Sequence, residues 1–143
     1  MAIAISGGST SFTSTISASP SANRTVTVPD ATFTVAASDA AQTFTASQRG
    51  TVTTDNDGSF DMNVTNNFKC TPTGSITLTF TNITAGQSGF ILLVNGSNYT
   101  VSAHTNTKVV SGSLTTLSAT GTYLLSYFSD GTNVYVVNSG ALA

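Results

Sequence analysis

The stretch from Gly74 to Ala103 sets what this chain can fold into. Ile76, Leu78 and Phe80 alternate with Thr77, Thr79 and Thr81. A period of two places the apolar side chains on one face of a strand and the threonines on the other. Phe90 to Val94 is an unbroken apolar run, the pattern of a strand covered on both faces. Asn95-Gly96 offers the positive-φ pair of a tight hairpin, and Tyr99, Val101 and Ala103 resume the alternation. The stretch is expected to open an antiparallel sheet of three strands.

The same signals recur on both sides. Asp55-Asn56-Asp57-Gly58 reads as a turn. Phe60, Met62 and Val64 alternate with polar neighbours, and Phe68 shares a face with Cys70. Pro72-Thr73-Gly74 turns into the central strand. His104 to Lys108 is expected to be a polar turn, and Val109, Val110, Leu114 and Leu117 mark weaker elements. Tyr123 to Phe128 is a nearly continuous apolar strand, and Asp130 to Asn133 turns it into Val134 to Val137 as a hairpin. Short strands with turns at this spacing predict an all-β fold, an antiparallel β-sandwich or jelly roll. Leu78, Phe80, Phe90, Leu92, Leu125 and Phe128 are the expected core.

The first third of the chain is different. Residues 1–35 are rich in Ser, Thr, Ala and Gly, with apolar residues too sparse to bury themselves. Val26 and Val28 make one short strand ended by Pro29, and Phe33 and Val35 make another. Residues 36–47 are Ala-rich, and a short helical turn capped by Ser38 is expected there. The expected organisation is an N-terminal arm at 1–35 for assembly and anchoring, a connector at 36–49 and a β-sandwich body at 50–143.

Composition narrows the function. Charged residues make up 7% of the chain, hydrophobic residues 39%, and the net charge is −2. Arg24, Arg49, Lys69 and Lys108 are the four cations, and they are scattered. Nucleic-acid backbones need clustered cations, and anionic membrane surfaces attract basic clusters, so neither is an expected partner. The apolar runs fall far short of the roughly 20 residues that span a bilayer. Met1 to Ile5 is too short for a signal-peptide core, so synthesis in a cytoplasm is expected, and the five Asn-X-Ser/Thr triplets read as products of composition. Cys70 is the single cysteine and has no partner for an internal disulfide.

Catalytic constellations are not legible. His104, the only histidine, sits in a turn with no nucleophile elbow to serve. Asp55, Asp57 and Gly58 resemble part of a calcium loop, but Thr53 and Val64 stand where such a loop needs carboxylates. That leaves only a looser Ca²⁺ site open. The six aspartates lie in or beside turns rather than paired across a cleft. Cys70 reads as a small core residue. Tyr99, Tyr123, Tyr127 and Tyr135 could stack on sugar rings, although their strand positions favour core or interface packing. The glycine-rich stretches at 6–8 and 85–89 lack the lysine and helix of a phosphate cradle. No catalytic, cofactor-binding or metal-binding residue is therefore assigned, and neither enzyme activity nor a cofactor is expected.

Ser21 to Asp30 resembles an element that recurs in tailed-bacteriophage tail fibres. The strand Asn67 to Thr71, the segment Gly74 to Phe80 with its Gly-Gln-Ser-Gly turn, and the close at Tyr123 to Tyr135 resemble a β-rich domain common in phage virion proteins. The resemblance implies an exposed structural protein of the virion, a capsid decoration (cement) protein on the head exterior, forming a homotrimer. Its partners would be itself and the major capsid protein or another virion protein, and its location the virion. The alternative is a short tail-fibre or receptor-binding module that recognises host surface glycans. A long repetitive shaft is absent, which disfavours a complete fibre.

Overall fold

The computed structural model describes Thr43 and residues 47–143. The arm at 1–35, with its two short strands, and the helical turn at Ser38 lie outside the described residues, as does most of the connector. Nine strands and one short helix follow in order. They are β1 (Val52–Thr54), β2 (Ser59–Asp61), β3 (Asn67–Cys70), β4 (Ile76–Thr81) and β5 (Ser88–Asn95), then β6 (Val101–Ala103), β7 (Thr107–Val109), α1 (Ser113–Leu117), β8 (Gly121–Ser129) and β9 (Val134–Asn138).

Three successive coils of chain each carry two strands joined by a corner. The first strands of the coils, β1, β3 and β5, pair in parallel, and so do the second strands, β2, β4 and β6. The result is a short β-solenoid with two stacked sheets. The larger has six strands in the order β1-β3-β5-β8-β9-β7, the smaller three in the order β2-β4-β6. Among the described strand pairs only β5–β8 and β8–β9 are antiparallel, beside one isolated antiparallel bridge between Thr122 and Leu142. The all-β reading is correct, but the antiparallel sandwich or jelly roll is not what these strands build. Both ladder types share a side-chain period of two, so alternation reveals the strands and leaves their direction open.

The corners explain the difference. Asn95-Gly96 makes no hairpin. Gly96 is not among the glycines with positive φ, and the chain instead crosses from the larger sheet to the smaller one. The buried Asn95 side chain organises this corner. Its Nδ2 donates to the carbonyls of Tyr99 at 2.8 Å and Leu117 at 3.0 Å, and its Oδ1 accepts from the amides of Tyr99 and Ser97. The 55–58 and 71–75 turns are the equivalent corners of the earlier coils, and the three are stitched together. Asn56 Oδ1 accepts from the Thr71 amide at 2.7 Å, and Ser75 Oγ accepts from the Thr100 amide at 3.2 Å. Gly58 turns the first corner with φ 87°, where a Cβ would meet the Thr77 carbonyl oxygen at 2.9 Å.

The core lies between the sheets. In-register stacking lines up Phe60 with Phe80 on β2 and β4, with ring centroids 5.5 Å apart. On the larger sheet Phe68, Ile91 and Leu125 form one inward ladder, and Cys70, Leu93 and Tyr123 form another. Gly89 permits the closest approach in this layer. A Cβ there would fall 1.7 Å from the Asn66 carbonyl oxygen, which accepts from the Phe90 amide and the Tyr127 hydroxyl, both at 3.0 Å. Helix α1 closes one end, with Leu117 buried in the core and Ser118 Oγ taking the Val101 amide of the edge strand β6 at 2.9 Å.

Leu78, Phe80 and Leu125 are buried as expected, but Phe90 and Phe128 are about half exposed, at 50% and 52%. Val64 falls past the end of β2 and is exposed as well. Lys108 belongs to β7 rather than to the preceding turn. The contrast between the two faces is measurable. Phe80→Ala should cost about 3–5 kcal/mol and Phe90→Ala about 1 kcal/mol or less, in chemical denaturation of the full chain. Equal costs would contradict the assignment of faces.

Candidate functional site

Alternation along the larger sheet sends every second side chain away from the core, and these outward residues meet across strands. Asn67, Phe90, Ser126 and Val137 form one row from β3 to β9. Lys69, Leu92 and Leu124 form a second beside it. Phe128 and Tyr135 stand directly opposite each other in a third, which Lys108 continues on β7. Paired residues of this kind lie about 4.5–5.5 Å apart at Cβ, so each row is a continuous surface.

That surface is apolar. Val52, Phe90, Leu124, Phe128, Tyr135 and Val137 are 40–63% exposed, and all six sit on this one face. Scattered surface hydrophobics are ordinary, but a contiguous patch of them marks an interaction site. The patch has relief. Val52, Lys69, Phe90, Leu92 and Leu124 line a recess of about 410 Å³ over β1, β3, β5 and β8. Phe128 and Tyr135 lie beyond it on β8 and β9, with Val110 and Val137 lining a second hollow beside Tyr135.

The outer face of β5 is expected to be covered, and among the described residues Phe90 stands half exposed while Leu92 and Val94 are only half-buried. The sequence signal for a buried strand and for an exposed association face is the same unbroken apolar run. Only the second apolar run at Tyr123 to Phe128, pairing beside the first, could have hinted that both strands share one such face.

The described aspartates accept hydrogen bonds at turns. Asp57 Oδ1 accepts from the Ser59 amide at 2.8 Å, and Asp61 Oδ1 from the Asn63 amide and from Asn82 Nδ2. Asp130 Oδ1 accepts from the amides of Thr132 and Asn133, and its Oδ2 from the Tyr135 hydroxyl at 2.8 Å. Asp55 and Asp57, the pair that left a Ca²⁺ site open, lie together at the first corner. Burial and a hydrogen bond to Asp57 push the Asp55 carboxyl above its ordinary value. Among the described residues no three His, Cys, Asp or Glu side chains gather as a metal cluster would require.

His104 is exposed in the turn between β6 and β7, where its Nδ1 faces the Asn106 amide. Tyr123 and Tyr127 are core residues; the Tyr127 hydroxyl, raised to about 12 by burial, donates to Asn66. Tyr99 is half-buried at the third corner, and Tyr135 alone of the four tyrosines faces out on the patch. Cys70 is fully buried between Phe68 and the first corner, and burial, with the Asp55 and Asp57 charges behind it, raises its thiol to about 12.

No protein-family model matches the chain, and neither a curated protein nor a solved structure matches it.

Two outcomes follow for the titratable groups. Cys70 should resist maleimide at neutral pH in the native protein and react fully in denaturant, because the thiolate is the nucleophile; rapid native labelling would place it elsewhere. The Asp130 carboxyl is lowered from 3.8 to about 2 by the Asn133 and Thr132 amides and the Tyr135 hydroxyl. A depressed folded-state pKa contributes stability that is present above the unfolded value and lost as the pH falls through the folded one. Asp130→Asn should therefore lose less melting temperature than the parent between about pH 4 and about pH 2. Parallel acid profiles of the two proteins would contradict this role.

Proposed function

We propose that this chain is a structural protein of a phage virion, a homotrimeric decoration protein on the head exterior, without enzymatic activity. The observation that carries this reading is the broad apolar outer face of the six-stranded sheet, beside carboxylates committed to turns. A surface of this kind supports assembly: it offers area and shape, and no nucleophile, base or cluster of charge. The sparse charge of the chain points the same way, since little repulsion opposes dense packing of neutral copies on a shell. The proposed partners are further copies of the chain and the major capsid protein or another virion protein. The N-terminal 35 residues, proposed as the anchor to the shell, lie outside the described residues.

A second reading rests on one specific contact. Tyr135 is an exposed aromatic ring whose hydroxyl is held by the Asp130 carboxylate. An aromatic platform beside a carboxylate suits stacking and hydrogen bonding to a sugar, which fits a receptor-binding module for host glycans.

Density or antibody labelling on intact particles separates the two. Regular copies over the head surface are the expected result. Labelling confined to the tail tip favours the glycan reading, and absence from purified particles contradicts both.

A further inference from the structure

Resting on that assembly reading, we propose that the outer face of the six-stranded sheet is the interface between copies of this chain, with the Phe128–Tyr135 ridge of one copy seated in the apolar recess of another.

Size is the first argument. The central strands β5 and β8 run eight and nine residues, about 27–30 Å at the usual rise per strand residue. Six strands side by side span about 24 Å. The face therefore covers several hundred Å², on the order of the roughly 800 Å² that each partner contributes to a standard interface.

Shape is the second argument. The recess lies over β1, β3 and β5 and ends at Leu124, whereas Phe128 and Tyr135 stand on β8 and β9. The larger recess and the Phe128–Tyr135 pair thus lie toward opposite sides of one face, with the smaller hollow beside Tyr135. With the recess toward one side of the face and the aromatic pair toward the other, each copy engages a different neighbour on each side, and head-to-tail contacts of this kind close a ring about a three-fold axis. Large aromatics in fully desolvated pockets are the side chains that carry interface energy.

Charge is the third. Lys69 and Lys108 are the cations on the face, on β3 and β7, and Lys108 Nζ is turned to the Thr105 carbonyl at 2.7 Å. Lys69 lines the recess, and the Asp130 carboxylate accepts from the Tyr135 hydroxyl on the ridge, so seating the ridge of one copy in the recess of another brings opposite charges together rather than burying one alone.

The experiment is analytical ultracentrifugation of the full chain beside Phe128→Asp and Tyr135→Asp. Both positions are exposed, and melting curves check that each variant still folds. The parent should sediment as a closed oligomer, and each variant should shift toward monomer by at least tenfold in dissociation constant. As an independent reading, Lys108→Cys beside the ridge together with Val52→Cys in the recess, in a Cys70→Ala background, should oxidise into covalent multimers between chains, while Thr77→Cys on the smaller sheet in the same background should not. A parent that is monomeric at high micromolar concentration overturns the proposal, as would occur if another segment of its own chain covered the face. So does an oligomer that survives both aspartates with its fold intact. A monomeric chain that still labels particle heads overturns this inference and leaves the virion reading standing. An oligomer that behaves as described but is absent from particles supports this interface and ends the virion reading.

Discussion

The Asn95 side chain is the constraint on which the rest of the architecture leans. It satisfies two backbone amides and two backbone carbonyls at a buried corner, where unpaired polar groups would each cost about 1–3 kcal/mol. Without that corner the chain has no reason to leave the larger sheet after β5. With it, β6 lands parallel to β4, with Val101 beside Ile76, and the smaller sheet gains its third strand. The bond to the Leu117 carbonyl also draws the end of α1 onto the coil, which closes the core at that end. One amide thus couples the two sheets and the helix.

Parallel stacking then decides what the surface looks like. Each coil repeats the inward and outward positions of the coil before it, so Phe68 sits beside Ile91 and Lys69 beside Leu92. Like positions accumulate into ladders, inside and outside. The inward ladders make the aromatic and aliphatic core; the outward ladders of β5, β8 and β9 make the apolar face. The described aspartates sit where the chain turns, accepting amides that a turn would otherwise leave open. A molecule arranged this way has an extensive surface for packing.

Much of the local structure was legible. Ile76, Leu78 and Phe80 declared a strand and its buried face, and Asp130 to Asn133 declared the β8–β9 hairpin, because a tight turn between adjacent apolar strands has one short-range solution. Direction was not legible, since Thr77 and Thr79 alternate identically in parallel and antiparallel ladders. Asn95-Gly96 misled for a physical reason: the dipeptide that favours a hairpin also suits a corner when the asparagine side chain is buried and can bond to the backbone around it. Phe90 and Phe128 misled because hydrophobicity alone does not distinguish a face turned to the core from one turned to a partner. The absence of active-site residues in the sequence reading rested on spacing, and the structure adds what the aspartates do instead.

The pairing of β4 with β6 is what turns successive coils into a solenoid, and one disulfide tests it. Thr77 on β4 and Ser102 on β6 are direct partners, with hydroxyls 2.8 Å apart on the exposed side of the smaller sheet. Neighbouring strands lie about 4.8 Å apart, within the Cα separation of about 4.4–6.8 Å that a disulfide spans. In a Cys70→Ala background, Thr77→Cys with Ser102→Cys should oxidise within one chain and raise the melting temperature. Failure to form the bond in a folded protein, or a bond that lowers the melting temperature sharply, would contradict the stacking of successive coils that makes this a solenoid.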